Sequence, residues 1–572
     1  MMRNHQKSFK EFSALLRSKA TFKWVSLNVY SNETNRIFFD LSKLIIITND
    51  KPCESIKDTS IFKHFLKHCK MTVIRYMTVL TAFSVFAALI SIVWQAFLSL
   101  KQLNKVTTIL TGMLAIESSL DHHRNVDVPL HRPRVAVGYG ACTDLLIHAT
   151  EFLNFTKAYV RDIGPEFTVD EVNNERQLLQ TFAYYFKNGA AAERIMPNAT
   201  LFRKLIGTAK SLHKDSIRWF VGGNAPLMGI RFFYEGADVL LGARMSHKLR
   251  PLLPAEIKVA GDLIAEDDIH IILEYKAGDK WGDLIAPRAN RYILHNDQNN
   301  PHLNSVEQFS EALRSFKPRL LVVSGLQMMD SYKFATGVRR ARLLKVKQQL
   351  ATESILSTLH HFEMASYVEI ELLRLLRQHI LPYVDSLGMN EQELNNLRQV
   401  MEHGRITLAS DWNPRVASTL DQMRKVFEIL SQDYYSKNDT QRRLVSRIHV
   451  HTLAYQAILT LKDSQWQHSK VATAKAALTA HRYVCQSNLV NPESAILVLD
   501  DSFATTAKPN AKRMKLKPQQ PVPCWDERIT VAGAPHPLAF EICVAPVPVC
   551  RVARKTAGAG DNISAAALSQ QI

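Results

Sequence analysis

The strongest constraint in this chain is the stretch YMTVLTAFSVFAALISIVWQAFLSL, residues 76–100, which contains no charged residue. At about 1.5 Å of helical rise per residue it can cross a hydrocarbon core of about 30 Å. A helix buried in a globular core is the competing reading, but such a helix rarely stays apolar on every face over this length. Lys63, Lys67, Lys70 and Arg75 precede the stretch, and only Lys101 and Lys105 follow closely. By the positive-inside rule the N-terminus is cytosolic and the bulk of the chain lumenal or extracellular. A start at Met71 would instead make MTVIR the basic leader of a signal peptide. Both versions deliver the large C-terminal part to the secretory pathway: the endoplasmic reticulum membrane or lumen, or secretion. The triplets at Asn154, Asn198 and Asn438 are compatible with glycosylation there, and Asn562 also fits the triplet. Residues 1–70 form an extension without a usable motif, 71–100 the hydrophobic segment and 101–131 a linker.

The formal charge of +18 first suggests a nucleic-acid partner, but its distribution argues otherwise. Residues 1–75 carry 14 Lys/Arg against 6 Asp/Glu, which is +8 of the total. AKRMKLK at 511–517 lies beside prolines in a polar stretch and reads as a solvated loop. No zinc-finger spacing or RNP motif is present, so no nucleic-acid partner is expected. The seven cysteines contain no CxxC pair, which excludes a common zinc-site pattern. One bridge among Cys485, Cys524, Cys543 and Cys550 is expected if this part faces an oxidising compartment.

From about residue 132, short apolar runs alternate with longer amphipathic ones. RVAVGYGACTDLL (134–146) reads as a buried strand ending in a small-residue turn and Asp144. PRLLVVSGLQMM (318–329), HIILEY (270–275) and AILVLDD (495–501) are similar strand-like runs. Residues 353–380 and 443–459 read as helical stretches, although RIHVHT (447–452) within the latter also reads as a core strand with polar ends. Strands alternating with helices predict an α/β layer with a largely parallel sheet, whose ligands sit at the carboxyl ends of the strands.

TAGAGD (556–561) sets an acid at the mouth of a helix, directly after glycines. A capped turn explains this as well as an anion site does, in which free N–H groups collect a phosphate and the acid handles a proton. VGGNAPLMG (221–229) lets backbone approach a ligand at Gly222 and Gly223, with Asn224 offering donors and acceptors. Asp144, Glu193 of NGAAAER and this loop make a plausible set of partners for a polyol. His361 and Glu363 of HHFEMAS, with Asn390 and Glu393 of GMNEQE, suit a hard cation such as Mg²⁺, although NEQE alone reads as an ordinary helix start.

Taken in order, RVAVGYGACTDLL, NGAAAER, VGGNA, ILEYKAGDKWGDLIAPRANRYI, VVSGLQMM, HFEMAS, LGMNEQEL, RIHVHTL and TAGAGD resemble the ADP-dependent glucokinases of the ribokinase-like superfamily. The resemblance covers residues 132–572, and the hydrophobic segment fits the animal members. It implies a three-layer α/β/α large domain with a smaller lid, roughly within 165–295, and glucose in the cleft. The implied reaction is ADP + D-glucose → AMP + glucose 6-phosphate, dependent on Mg²⁺. Asp561 becomes the catalytic base, and Gly558, Ala559 and Gly560 present the backbone N–H groups that hold the phosphoryl charge. The resemblance assigns Mg²⁺ to Glu363 and Glu393 with Asp561 beside it. It assigns glucose to Asp144, Glu193, Gly222, Gly223 and Asn224. Arg291 would face the nucleotide phosphates, with His451 and Thr452 near the adenosine pocket. A carboxylate at Glu193 suits neutral glucose better than an anionic sugar phosphate. Gly140 and Pro226 depart from the expected pattern. A monomer is expected. The residues alone leave two alternatives open: an ATP-dependent sugar kinase of the same fold, or an inactive membrane-tethered sugar- or nucleotide-binding protein.

Overall fold

The computed structural model describes residues 60–124 and 132–572, except 162, 165, 166, 168, 353–356 and 407–412. Most of the N-terminal extension and the end of the expected linker therefore lie outside the described residues. The apolar stretch belongs to one helix, α1 (Ser60–Arg124), whose side chains from 81 to 100 are all exposed. Phe83, Phe86, Trp94 and Phe97 are among these bare groups, a contiguous apolar surface that water does not favour. By length and composition α1 is able to cross a membrane. The chain divides into two compact units between Phe97 and Leu98.

The second unit runs β1 (Arg134–Gly138), β2 (Cys142–His148), α2 (Glu175–Asn188), β3 (Ala192–Ile195), β4 (Ile217–Gly222), α3 (Asn224–Tyr234), β5 (Asp238–Gly242) and β6 (Lys258–Ala260). It continues through β7 (Ile269–Tyr275), β8 (Asn290–His295), β9 (Leu320–Val323), β10 (Leu359–Glu363), β11 (Ser386–Asn390) and α4 (Glu391–His403). It closes with β12 (Arg447–His451), β13 (Tyr455–Leu461), α5 (Ser469–Cys485), β14 (Cys524–Ile529), β15 (Leu538–Pro546) and α6 (Ala559–Ser569).

The large sheet has the order β14-β15-β13-β12-β11-β10-β9-β1-β5-β6. Neighbours from β12 to β6 are all parallel, and β13, β15 and β14 add an antiparallel flank. The parallel strands are buried on both sides, β9 reading LLVV and β1 RVAVG, because helices cover both faces. One face packs against α4 and the helices Val306–Phe316, Val338–Thr352, Ile370–His379 and Val416–Tyr435, through Phe309, Leu343, Leu372, Leu397 and Leu420. The other carries α3, α5 and α6. A second sheet, β3-β8-β7-β2-β4, has its own aromatic core of Phe182, Phe186, Tyr275, Trp281 and Tyr292 beneath α2. The chain passes between the two sheets after β1, β4, β6 and β8, so a cleft lined by both is a consequence of topology.

Five expectations need correction. RVAVGYGACTDLL is two strands in different sheets, broken where Gly140 turns at φ 79°, and Asp144 lies inside β2 rather than at the end of the first strand. Among the described residues of 353–380, LHHFE forms β10, its backbone drawn into the parallel ladder by β9 and β11, and Ile370–His379 is helical. Residues 443–459 are the hairpin β12–β13, turned where Thr452 Oγ1 bonds Tyr455 O. Both strands are buried on both faces, so no alternation marks them in sequence, and their pairing in the ladder decides them. Two disulfides form where one was expected: Cys485–Cys550 ties α5 to the strand Pro548–Cys550, and Cys524–Cys543 cross-links β14 and β15. Residues 101–124 continue α1. Val106, Ile109, Leu110 and Met113, spaced as one helical stripe, are buried with Ala472 and Ala476 of α5. Glu117 receives Arg482 at 2.6 and 2.8 Å and Lys475 at 3.1 Å.

Candidate active site

α6 begins at Ala559 with Gly558 as its N-cap at φ 74°, a left-handed conformation suited to glycine. A Cβ at 558 would also meet Leu227 Cδ1 at 2.6 Å. The first-turn N–H groups of a helix have no intrahelical partner and point outward at its positive end. Asp561 sits in that turn, 8% exposed, and accepts a hydrogen bond from Asn224 Nδ2 at 2.8 Å. Gln327 Nε2 in turn donates to Asn224 Oδ1 at 2.6 Å. Burial, reinforced by the Glu363 charge, pushes the Asp561 carboxyl up to about 7, against the pull of Asn224, Arg291 and His451. Behind the turn, Glu274 Oε1 accepts from Thr556 N, Thr556 Oγ1 and Ala557 N at 2.7, 2.8 and 3.2 Å. This ties the loop before α6 to β7 of the smaller sheet.

The end of β10 brings Glu363 to the same cavity. Its Oε2 bonds His361 Nε2 at 2.8 Å, and its Oε1 accepts from Ser564 Oγ at 2.9 Å. Gly388 on the neighbouring strand makes the room, since a Cβ there would overlap Glu363 Oε2. Burial opposes ionisation of Glu363, but the bonds and charges of His361 and His451 outweigh it and hold the carboxyl at about 2. Glu393 stands one helical turn into α4, closing a capping box: it accepts from Asn390 N while Asn390 Oδ1 accepts from Glu393 N. NEQE is therefore a helix start, as the plain reading had it. It is also buried in the cavity wall, and burial raises Glu393 to about 7. Among the described residues, Glu363, Glu393 and Asp561 do not form a group whose ligand atoms all lie within 4.8 Å.

The same cavity, whose volume is about 620 Å³, is also lined by Asp144, Glu193, Gly223, His270 and Asn300, with Asn224 standing between this group and Asp561. Gly222 lies behind them: a Cβ on it would overlap the Asp144 carboxylate, so glycine is required for the acid to stand there. Burial raises Asp144 to about 6, partly offset by His270. Glu193 Oε1 is 3.8 Å from His270 Nδ1. Gly140 faces Asn300, whose Oδ1 would lie 3.1 Å from a Cβ at 140, and Asn300 Oδ1 accepts from Ala141 N. The space a larger residue 140 would need is thus taken by another amide. Pro226 falls in the first turn of α3, where its missing N–H breaks no bond.

Arg291 on β8 lines the cavity with its Nε buried and unpartnered. His451 ends β12 beside α6, its ring 3.0 Å from where a Cβ of Gly560 would be, and its Nε2 is 3.6 Å from Glu363 Oε1. Thr452 lines the same wall, although its hydroxyl is engaged in the β12–β13 turn. Most of the residues singled out from the sequence line one cavity; Gly222 abuts it, His361 lies outside the lining and bonds Glu363, and Pro226 lies in the first turn of α3. His270, Gln327, Asn300, Ser564 and Glu274 were missed. Gln327 and Glu274 lie within VVSGLQMM and ILEY, and His270 opens HIILEY, stretches read for their strands and for the resemblance but not for these side chains; nothing in the spacing of Asn300 marks it.

A parallel sheet between helix layers, with a smaller sheet closing a cavity over a GxGD helix start, defines the class: a ribokinase-like fold. An ADP-dependent kinase structure in complex with fructose-6-phosphate and ADPbetaS shares the fold, with TM-score 0.52 and 14% identity over 81% of this chain and 97% of that one. The ADP-dependent glucokinase of Bos taurus is 33% identical over 440 residues, covering 76% of this chain and 84% of that protein. A probable ADP-dependent glucokinase of Caenorhabditis elegans is 26% identical over 450 residues, with 76% and 84% covered. The conserved region of the ADP-specific phosphofructokinase/glucokinase family spans residues 133–570, and the chain belongs to that family.

Proposed function

We propose that the protein transfers the β-phosphoryl group of ADP to the 6-hydroxyl of D-glucose, releasing AMP and glucose 6-phosphate. The observation that carries this is the placement of Asp561. It is a buried acid at a helix N-terminus, poised near neutrality, sharing one cavity with a hydroxyl-binding end built from Asp144, Glu193 and Asn224. Asp561 takes the 6-hydroxyl proton as the sugar oxygen bonds to phosphorus. The bond from phosphorus to the bridging oxygen breaks, and AMP leaves with that electron pair. The N–H of Gly560, at the positive end of α6, receives the charge on the phosphoryl oxygens, joined by that of Ala559 once released from its long bond to Thr556 O. Arg291, with its free Nε, faces the nucleotide phosphates, and His451 and Thr452 line the nucleoside side. Asp144 and Glu193 accept bonds from sugar hydroxyls, and Glu193 disfavours a sugar that already carries phosphate.

The acids fit Mg²⁺. Asp561 and Glu393 are both held near neutrality by burial, an electrostatic cost that a cation relieves. The wide spacing of the three acids suits an ion that keeps several waters. Glu363 and Glu393 would hold it, with Asp561 adjacent. When bound, Mg²⁺ neutralises phosphate charge and orients the donor for in-line transfer. The smaller sheet serves as the lid. The bare apolar surface of α1 and the two disulfides support membrane attachment and an oxidising, lumenal or extracellular compartment for the second unit. Product analysis with glucose and ADP tests the assignment: AMP and glucose 6-phosphate are expected. A clear preference for ATP, or no sugar phosphate from either donor, would overturn it.

A further inference from the structure

Behind the sugar end lies a buried group that the transfer chemistry does not use. Asp297, in the loop after β8, is completely buried and places both carboxylate oxygens on His270 Nε2, at 3.0 and 3.2 Å. Asn300 Nδ2 donates to Asp297 Oδ2 at 2.7 Å, and His295 Nδ1 is 3.5 Å from Oδ1. Asp268 fixes the loop, accepting from the backbone N–H groups of Gln298, Asn299 and Asn300. A carboxylate engaged in this way only accepts, so His270 Nε2 carries a proton. His270 then turns Nδ1 into the cavity, toward Glu193.

We infer that Asp297 is a positioning residue for the sugar end: it fixes the ring and protons of His270 between Asp144 and Glu193, and so sets a preference for a neutral hexose over an amino sugar. The inference rests on the sugar-kinase reading above. The ionisable groups facing His270 are Asp297 and His295 from β8 and its following loop, Glu193 from β3, and Asp144 and the Cys142 thiol from β2. Burial disfavours a charged imidazole, but Asp297, Glu193 and Asp144 together raise His270 to about 10. An imidazolium therefore stands between two carboxylates that would otherwise attract a sugar ammonium. Removing the Asp297 charge leaves His270 neutral. The loss of positive charge is nearer the sugar than the loss of negative charge, so the local potential becomes more negative.

Asp297→Asn keeps an acceptor for Nε2–H and removes the charge, whereas Asp297→Ala removes both. In the full chain, D297N is expected to raise the glucose KM about tenfold with little change in the ADP KM or melting temperature. It should raise the glucosamine-to-glucose ratio of kcat/KM roughly threefold or more. D297A should give a larger glucose KM and a lower melting temperature. An unchanged glucose KM and sugar ratio in D297N would overturn the inference. So would parallel losses for glucose, glucosamine and ADP with lowered stability, which mark a structural role alone. NMR of histidine-labelled protein, with H270Q assigning the signal, reads the ring without turnover: an imidazolium at neutral pH is expected, and it should be lost in D297N. If the wild type makes no sugar phosphate, the kinase reading falls, while the ring signal still decides this one, and its persistence in D297N refutes it.

Discussion

Asp561→Asn separates the chemistry of this acid from its cost. In the folded protein burial and the Glu363 charge lift the Asp561 carboxyl from 3.8 to about 7. Between those values the native state holds a proton that the unfolded chain has released, so stability falls as pH rises through this window. By pH 8 the full penalty applies, about three pH units at about 1.4 kcal/mol each, or roughly 4 kcal/mol. Asparagine still accepts from Asn224 and never ionises. D561N is therefore expected to be more stable than wild type at pH 8, by up to about 4 kcal/mol, with the gap narrowing to about 2 kcal/mol at pH 5 and closing only below about pH 4. For a unit of this size that corresponds to a few degrees in melting temperature. The measurement is thermal unfolding across pH in EDTA, because a bound cation would lower the carboxyl and hide the effect. Over the same series, phosphoryl transfer in Mg²⁺ should fall by about 10²–10⁴. An equal or lower melting temperature at pH 8, or an offset that is the same at pH 5 and 8, would refute the electrostatic argument. Retained turnover would remove Asp561 from its role.

Gly222→Ala forces Asp144 out of its place, so the glucose KM should rise at least about tenfold with the ADP KM little changed; a glucose KM at the wild-type value would mean that Asp144 does not hold sugar. Glu363→Gln keeps bonds available to His361 and Ser564, and a Mg²⁺ titration of activity should show half-saturation raised about 10–100-fold. An unshifted titration curve would take Glu363 away from the ion. Asn154 and Asn438 are exposed, whereas Asn562 is buried and donates to Gly558 O. Glycosidase treatment of protein expressed in animal cells should shift its mobility, and N154Q with N438Q should reduce the shift. An unshifted protein fractionating with cytosol would contradict the proposed topology.

The elements that could be read along the chain were those with a local physical signature. β9 and β7 are β-branched runs bounded by polar residues, and α6 carries its own cap and acid in sequence. Asp561, Glu363 and Glu393 were visible because each belongs to a short pattern in which a neighbour explains it. β10 was read as part of a helix because Leu, His and Glu carry no strong strand preference, and the β12–β13 hairpin because it is buried on both faces and shows no alternation; in both, pairing with adjacent strands decides. His270 and Asp297 were invisible for a different reason. They are 27 residues apart, on either side of a crossing between β7 and β8, and only that antiparallel pairing brings them within a hydrogen bond. The role of Gly222 was half legible: small size was evident, but the reason is the Asp144 carboxyl on the paired strand.

The three bonds that Thr556 and Ala557 donate to Glu274 join the loop before α6 to the smaller sheet. Any rocking of the smaller sheet therefore pulls on the start of α6. Under the proposed function, sugar capture and alignment of Asp561 would be a single mechanical event, and an acceptor that failed to draw the sheet inward would leave Asp561 out of line even with donor bound. In such a machine, water is a poor acceptor not because it is excluded by a wall but because it cannot pull the lever.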